Sequence, residues 1–333
     1  MQAYVLRRLI AIPFMLIGIT LLLFFLLFLR PGNAALTNFG LVNPDQACDK
    51  GERGTYQSTG SGCEGGLAKL EKEYGLDRPF FVQYGDWAIH AIQGDFGLSL
   101  KNRRSISAQI GERLPTTIEI GIITIILSTL IGVPVGIISA IRPGSWIDGT
   151  LRITTIIGIS VPNFWVGTLA IMLPALWWGW TPLARNYKNF IDSPLTNLSI
   201  VIWPALVLAI GSAAYVARIV RSSMLETLYA DFTRTARAKG LTERIVVLRH
   251  VFRSSMITVL TVIGVQLGAI LGGSVIAEQI FAVPGLGLLI FEAIMGIDYT
   301  LVLGGMTMFA LMFMIVTLAV DLLYTLVDPR IRY

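Results

Sequence analysis

The sequence predicts an all-α integral membrane protein with six transmembrane helices and a long external segment between the first and second. Three observations carry this reading. Hydrophobic residues make up 54% of the 333 and charged residues only 14%, whereas an ordinary soluble domain carries about 25% charge. The apolar residues gather in six stretches, each close to the roughly 20 residues that a bilayer-spanning helix needs. Lysine and arginine concentrate in alternate loops, the pattern that sets orientation in a membrane. So little polar surface excludes a pair of soluble domains. The high apolar content, with no short repeat, excludes collagen, coiled coil and disorder.

The six predicted spans are Leu9–Leu29, Thr117–Ile141, Ile153–Trp178, Ser199–Val220, Met256–Ile276 and Tyr299–Val327. Helix breakers lie inside several of them: Pro134, Pro162, Pro174, Pro204 and the pair Gly272-Gly273. Lipid tolerates these where neighbouring helices satisfy the freed backbone groups, so they point to a packed bundle. The first span follows Arg7 and Arg8 and could be read as a signal peptide. Its apolar run exceeds the usual ~7–15 residues and no A-x-A site follows, which favours a retained helix. The expected partition is residues 1–30 as an N-terminal helix, 31–115 as an extracytoplasmic segment and 116–333 as a five-helix core with a cytoplasmic loop at 221–254.

Orientation follows from the basic residues. Arg7 and Arg8 precede span one, Arg142 and Arg152 follow span two, and Arg330 and Arg332 close the chain. The loop after span four holds eight more, from Arg218 to Arg253. The opposite side has Arg185 and Lys188 after span three and none between Glu278 and Asp298. Both termini are therefore expected in the cytoplasm. The ten basic and ten acidic residues between Arg30 and Pro115 cancel, and long loops translocate largely regardless of charge. The net charge of +5 thus reads as topology and needs no nucleic acid. Both cysteines, Cys48 and Cys63, fall in the external segment, where an oxidising compartment favours a disulfide. Closing that loop would contribute about 3 kcal/mol in the chain-entropy picture; two free thiols are the alternative.

The loop 221–254 carries the most information. Ser223 with Glu226 reads as a capping box, opening a helix to Lys239 whose apolar positions are Leu225, Leu228, Phe232 and Ala236. Gly240 ends that helix, and Thr242 caps a second through about His250. A helix, a tight turn and a second helix result. Such a unit could lie on anionic lipid, bind DNA or dock a cytoplasmic partner. The run Ala236-Arg237-Ala238-Lys239-Gly240 favours docking, because small residues permit close backbone approach and the cations can meet acidic groups or carbonyls. No enzyme constellation accompanies it. The Gly-rich stretch near Gly60 lacks the G-K-[ST] ending of a phosphate loop, His90 and His250 are the only histidines, and no metal-ligand spacing occurs.

Several blocks then resemble one family. RSSMLETLYADFTRTARAKGL from Arg221 is similar to the cytoplasmic coupling loop of the B-type permease subunit of bacterial dipeptide/oligopeptide ABC importers, within the peptide/nickel permease family. Arg234-Thr235-Ala236 stands where general importers carry E-A-A, and His250-Val251-Phe252-Arg253 stands where they carry I-x-L-P. YGLDRPFFVQYGDW from Tyr74, GDFGLSL from Gly94, LPTTIEIG from Leu114, SVPNFW from Ser160, AEQIFAVPGLGLLIFEAI from Ala277 and LVDPRIRY at the C-terminus also match. The family's P-G-D-P after span one is Pro31-Gly32-Asn33-Ala34 here, and the cysteine-containing insert is not a general feature.

The resemblance implies the type I ABC importer permease fold in a bacterial inner membrane. It implies a second homologous permease subunit, two ATP-binding subunits inside and a substrate-binding protein outside. ATP and magnesium would belong to those ATPases, with no cofactor in this chain. Arg234, Thr235, Ala236, Arg237, Ala238, Lys239, Gly240 and Leu241 would form the ATPase-coupling element. Di- or oligopeptide would be the cargo, with nickel, glutathione or another small solute as the alternative within the family. A stand-alone channel or ion-coupled carrier is the rival of another class; the chain lacks the paired intramembrane charges that ion coupling uses.

Four polar residues are substrate-path candidates. Asp321 in span six could meet a peptide ammonium or serve as a structural carboxylate near the inner interface. A charge at a helix centre costs about 2.5–3.5 kcal/mol, so it should face protein. Glu278 could contact substrate or the binding protein, or be a solvated interface carboxylate. Asn163, after Pro162, and Gln266 could line a cavity or make interhelical hydrogen bonds worth about 1 kcal/mol. Pro284-Gly285-Leu286-Gly287 opens a short apolar helix to about Met295, too short to span.

Overall fold

The computed structural model describes residues 2–28, 78–99, 101–184 and 187–327. Among these the chain is helical: α1 (Gln2–Phe28), α2 (Phe80–Ile92), α3 (Ile106–Ile141), α4 (Trp146–Ser160), α5 (Asn163–Trp178), α6 (Pro194–Leu228), α7 (Asp231–Ala238), α8 (Phe252–Phe281), α9 (Leu286–Met295) and α10 (Tyr299–Val327). A short helix, Glu243–Ile245, and a π-helical stretch, Val246–Val251, lead into α8. No strand occurs among the described residues. Four helices are long and apolar enough to cross a bilayer, five if α4 and α5 together make one span. The apolar described part of α1, Ile10–Leu26, is shorter.

The third predicted span is two helices, bent by 95°. Proline explains the bend: it lacks an N–H and its ring collides with the carbonyl four residues back. The residue before it is also driven out of helical geometry, and Val161 sits at φ −82°, ψ 125° before Pro162. Pro115 and Pro134 lie inside α3 without ending it.

The chain divides into two compact units. One is built on the described parts of Met1–Leu9, Leu114–Leu288 and Met312–Tyr333. Here α6 is the central helix, contacted by α3, α4, α5 and α8, and it buries Val201, Leu208, Val216, Val220 and Met224. Small residues set its approach to α3, as is usual where helices meet in lipid. A Cβ on Gly136 would lie 2.6 Å from Val220 Cβ and 2.7 Å from the Ala217 carbonyl oxygen. Gly136→Ala should therefore cost about 1–3 kcal/mol by overpacking, whereas Gly149→Ala, with nothing near its added Cβ, should be close to neutral. The thermal midpoints of the two purified variants check this.

The other unit comprises the described parts of Ile10–Arg113 and Leu289–Leu311. Its first half is an aromatic seam, with the Phe24 ring 5.5 Å from Phe80 and 5.7 Å from Tyr84. The Tyr84 hydroxyl hydrogen-bonds Thr20 Oγ1 at 2.9 Å. In its second half, Asp298 accepts from Ser99 Oγ, Thr300 Oγ1 and the Leu301 N–H. That carboxylate caps α10 and ties down the segment before α3, a role its sequence context did not suggest.

Candidate functional site

The loop 221–254 departs from the expected helix pair. Ser223 is buried within α6 and opens no helix. The chain instead breaks at Tyr229 and Ala230, the latter extended at φ −68°, ψ 151°. The break leaves α6 carbonyls open, and α7 supplies the donors. Thr233 Oγ1 donates to the Thr227 carbonyl at 2.8 Å, and Arg237 Nη1 to that of Leu228 at 3.4 Å. The second helix does not stop at His250 either; it runs through the π-helical stretch directly into α8. The ladder continues because no Pro or Gly interrupts residues 243–263.

Two faces of α7 have separate jobs. Ala236 joins a buried cluster with Ala140, Val216, Val220, Met224, Leu228, Val246, Val247, Val251 and Val259, and Thr233 is fully buried. Arg234, Thr235, Arg237, Ala238, Lys239, Gly240 and Leu241 are exposed. Gly240 has φ +77°, a left-handed conformation that glycine adopts without steric cost, and it follows the last α7 residues as a helix-ending glycine does. Nothing lies within 4 Å of the position its Cβ would take, so the turn is open to a partner. Of the eight residues expected to form the coupling element, seven are thus presented outward and Ala236 anchors them.

An ion pair braces the turn. Arg237 meets Glu243 in a bidentate contact, Nη2 to Oε1 at 2.7 Å and Nε to Oε2 at 3.1 Å. The Arg237 hydrogen bonds hold the Glu243 carboxyl below its ordinary value of 4.5 and raise the guanidinium in turn. A carboxylate held low stabilises the fold above its unfolded value, and that contribution is lost as pH falls through the folded value. Both side chains are well exposed, which limits the pair to below about 1 kcal/mol. Glu243→Gln should therefore lower the thermal midpoint slightly at neutral pH, and the difference from wild type should vanish well below pH 4.5.

The substrate-path candidates sit on different elements. Asn163 begins α5 at the bend and is exposed, with Gly211 of α6 beside its Oδ1. Gln266 is half-buried on α8. Asp321 falls within α10, and its side chain lies outside the described part, as do Cys48 and Cys63. No hydrogen bond joins Asn163, Gln266 and Glu278 among the described residues.

Glu278 is 0% exposed, so it is no solvated carboxylate in this structure. Thr117 Oγ1 donates to its Oε1 at 2.7 Å, the Leu288 N–H donates to its Oε2 at 2.9 Å, and the Leu286 N–H donates to Thr117 Oγ1 at 2.8 Å. The carboxylate thus caps the start of α9, where unpaired N–H groups attract negative charge. A Cβ on Gly285 would overlap the carboxylate, and one on Gly287 would lie 2.9 Å from Oε2. The glycines of the Pro284–Gly287 turn are the space in which Glu278 sits.

Two further residues escaped sequence reasoning. Asp148 is buried and ion-paired to Arg221, Nε to Oδ1 at 2.7 Å and Nη2 to Oδ2 at 2.9 Å, with Ser139 Oγ also donating. The capping pattern Ser145-x-x-Asp148 was the available signal. Glu119 on α3 has a buried Oε1 with no hydrogen-bond partner among the described residues; only its position inside an apolar run marked it.

Comparison with known proteins places these features. The model of the family described as binding-protein-dependent transport system inner membrane component matches residues 132–333, a stretch that holds the coupling element, Asp148 and Glu278. The chain belongs to this family. A putative peptide transport system permease protein of Brucella abortus (strain 2308) is 38% identical over 334 residues, covering 100% of both chains. The dipeptide transport system permease protein DppB of Escherichia coli (strain K12) is 37% identical over 355 residues, covering 100% of this permease and 99% of that protein. Among solved structures, an inward facing conformation of the MetNI methionine ABC transporter matches with TM-score 0.54 at 18% identity, covering 66% of this permease and 96% of that chain. An amino acid ABC transporter matches with TM-score 0.51, also at 18% identity, covering 68% and 95%. The permease therefore has the fold of ABC importer membrane subunits.

Proposed function

We propose that this permease pairs with a second, related permease to form the pathway of a di- or oligopeptide importer. Two ATP-binding subunits on the cytoplasmic side would drive it and an extracytoplasmic binding protein would deliver the cargo. The observation that carries this reading is the exposed face of α7, closed by left-handed Gly240 and braced by Arg237–Glu243. Ala236 ties that face to the ends of α6 and α8. A push on α7 therefore moves spanning helices, which is what conversion of ATP closure into alternating access requires. ATP and magnesium reside in the partner subunits. The termini lie in the cytoplasm, following the positive-inside distribution, and α1 serves as a sixth span.

Peptide as cargo rests on the names of the relatives, at 38% and 37% identity over full length. Nickel, glutathione or another small solute is the alternative. Calorimetry on the cognate binding protein separates them: binding of di- or oligopeptides without nickel is expected, and binding of nickel or glutathione alone would overturn the assignment. Asn163, Gln266 and Asp321 remain candidates for the path, while Glu278 is assigned to positioning α9. Cys48 and Cys63 are proposed to be bridged, so thiol labelling should require reductant; rapid labelling without it would refute the bridge.

A further inference from the structure

A cavity of about 380 Å³ opens between α3, α4 and α6 and matches none of the roles above. Its polar wall holds three arginines, Arg152, Arg218 and Arg221, with the hydroxyls of Thr155 and Ser222. Arg221 is already neutralised by Asp148. Arg152 has no ion-pair or hydrogen-bonding partner for its side chain among the described residues, and Arg218 makes only a stacking contact, 5.2 Å from the centre of the Tyr215 ring. Two exposed guanidiniums therefore stand beside the cavity without a carboxylate partner among the described residues. The other wall is apolar, through Val135, Leu151 and Ile156. The apolar surface continues outside along α4, where Ile153, Ile156 and Ile157 are exposed, and Trp146 stands 79% exposed at its beginning.

We propose that this cavity binds the headgroup of an anionic phospholipid, with Arg152 and Arg218 on the phosphate and the acyl chains along the α4 isoleucines. The chemistry selects this occupant. A phosphodiester compensates the two free guanidiniums, while hydrocarbon covers the adjoining isoleucines, which a soluble anion would leave bare. Basic pockets between spanning helices at the cytoplasmic face are suited to such headgroups. The choice of the inner leaflet rests on the orientation proposed above; the headgroup chemistry does not. The lipid would wedge between α4 and α6 close to the Arg221–Asp148 pair, making the inner end of the bundle sensitive to membrane composition.

The test titrates the purified complex in neutral detergent with phosphatidylglycerol or with phosphatidylcholine of the same chains. Native mass spectrometry counts the retained lipid. Preferential retention of phosphatidylglycerol is expected. Arg152→Gln and Arg218→Gln should each weaken it about fivefold, and the pair more than either. Arg152→Lys with Arg218→Lys keeps both charges and should retain binding, which separates lost charge from lost folding. Equal retention of the two lipids, or retention unchanged in the double glutamine variant, would overturn the proposal. Binding of glycerol phosphate or inorganic phosphate as tight as that of the lipid would replace the lipid by a soluble anion. None of these readings depends on the cargo, so failure here leaves the peptide assignment standing.

Discussion

Gly240→Trp is expected to abolish uptake while leaving ATP hydrolysis in the assembled complex running uncoupled. Two separable effects combine in this substitution. A side chain at φ +77° carries a left-handed penalty of about 1–2 kcal/mol, which corresponds to about a five- to thirtyfold shift in the population of the correct turn. The indole then fills the space beside the turn that is open in this chain and that the ATPase would occupy. Gly240→Ala isolates the first effect and should reduce uptake within that range without abolishing it. Transport and ATPase assays on the two variants separate turn strain from blocked docking. Normal uptake by the tryptophan variant would sink the assignment of α7 as the coupling element.

Glu278→Ala should be the most destabilising single change at the entry to α9. It leaves the Leu288 N–H and the Thr117 hydroxyl without their acceptor, at about 1–3 kcal/mol for each buried unsatisfied group, and adds a cavity against Gly285 and Gly287. Glu278→Gln retains one oxygen acceptor and nearly the same volume, so it should lose less than half as much. Thermal midpoints of the purified complex measure both. A glutamine variant as stable as wild type, beside a destabilised alanine variant, would show that volume alone matters and that the carboxylate charge does not hold α9.

Four of the spans were legible because a bilayer crossing needs a long apolar run that composition reveals directly, whereas the third is two helices bent at Pro162. The short helix Leu286–Met295 was legible too, since Pro284 and the glycines mark its start and the apolar run is too brief to cross. The break after Leu228 was not. Residues 223–239 contain no Pro or Gly, and local propensity favours one helix; tertiary contacts decide otherwise, with Thr233 and Arg237 capping α6 and Ala236 packed beneath it. The roles of the buried carboxylates were not legible for a related reason. Asp148, Glu278 and Asp298 resemble interface charges in sequence, and each is defined by partners distant in the chain: Arg221, Thr117 and Ser99. At Gly240 the local signal sufficed, because a glycine closing an amphipathic helix carries its conformational reason with it.

Reconstitution into sealed vesicles tests the central claim most directly. The proposed complex of this permease with a second permease, two ATPases and a binding protein should concentrate a labelled peptide only when ATP is supplied on the α7 side. Omitting the ATPases should remove concentrative uptake entirely. Concentrative uptake by this chain alone, without nucleotide or ATPase, would contradict the assignment and favour an ion-coupled carrier.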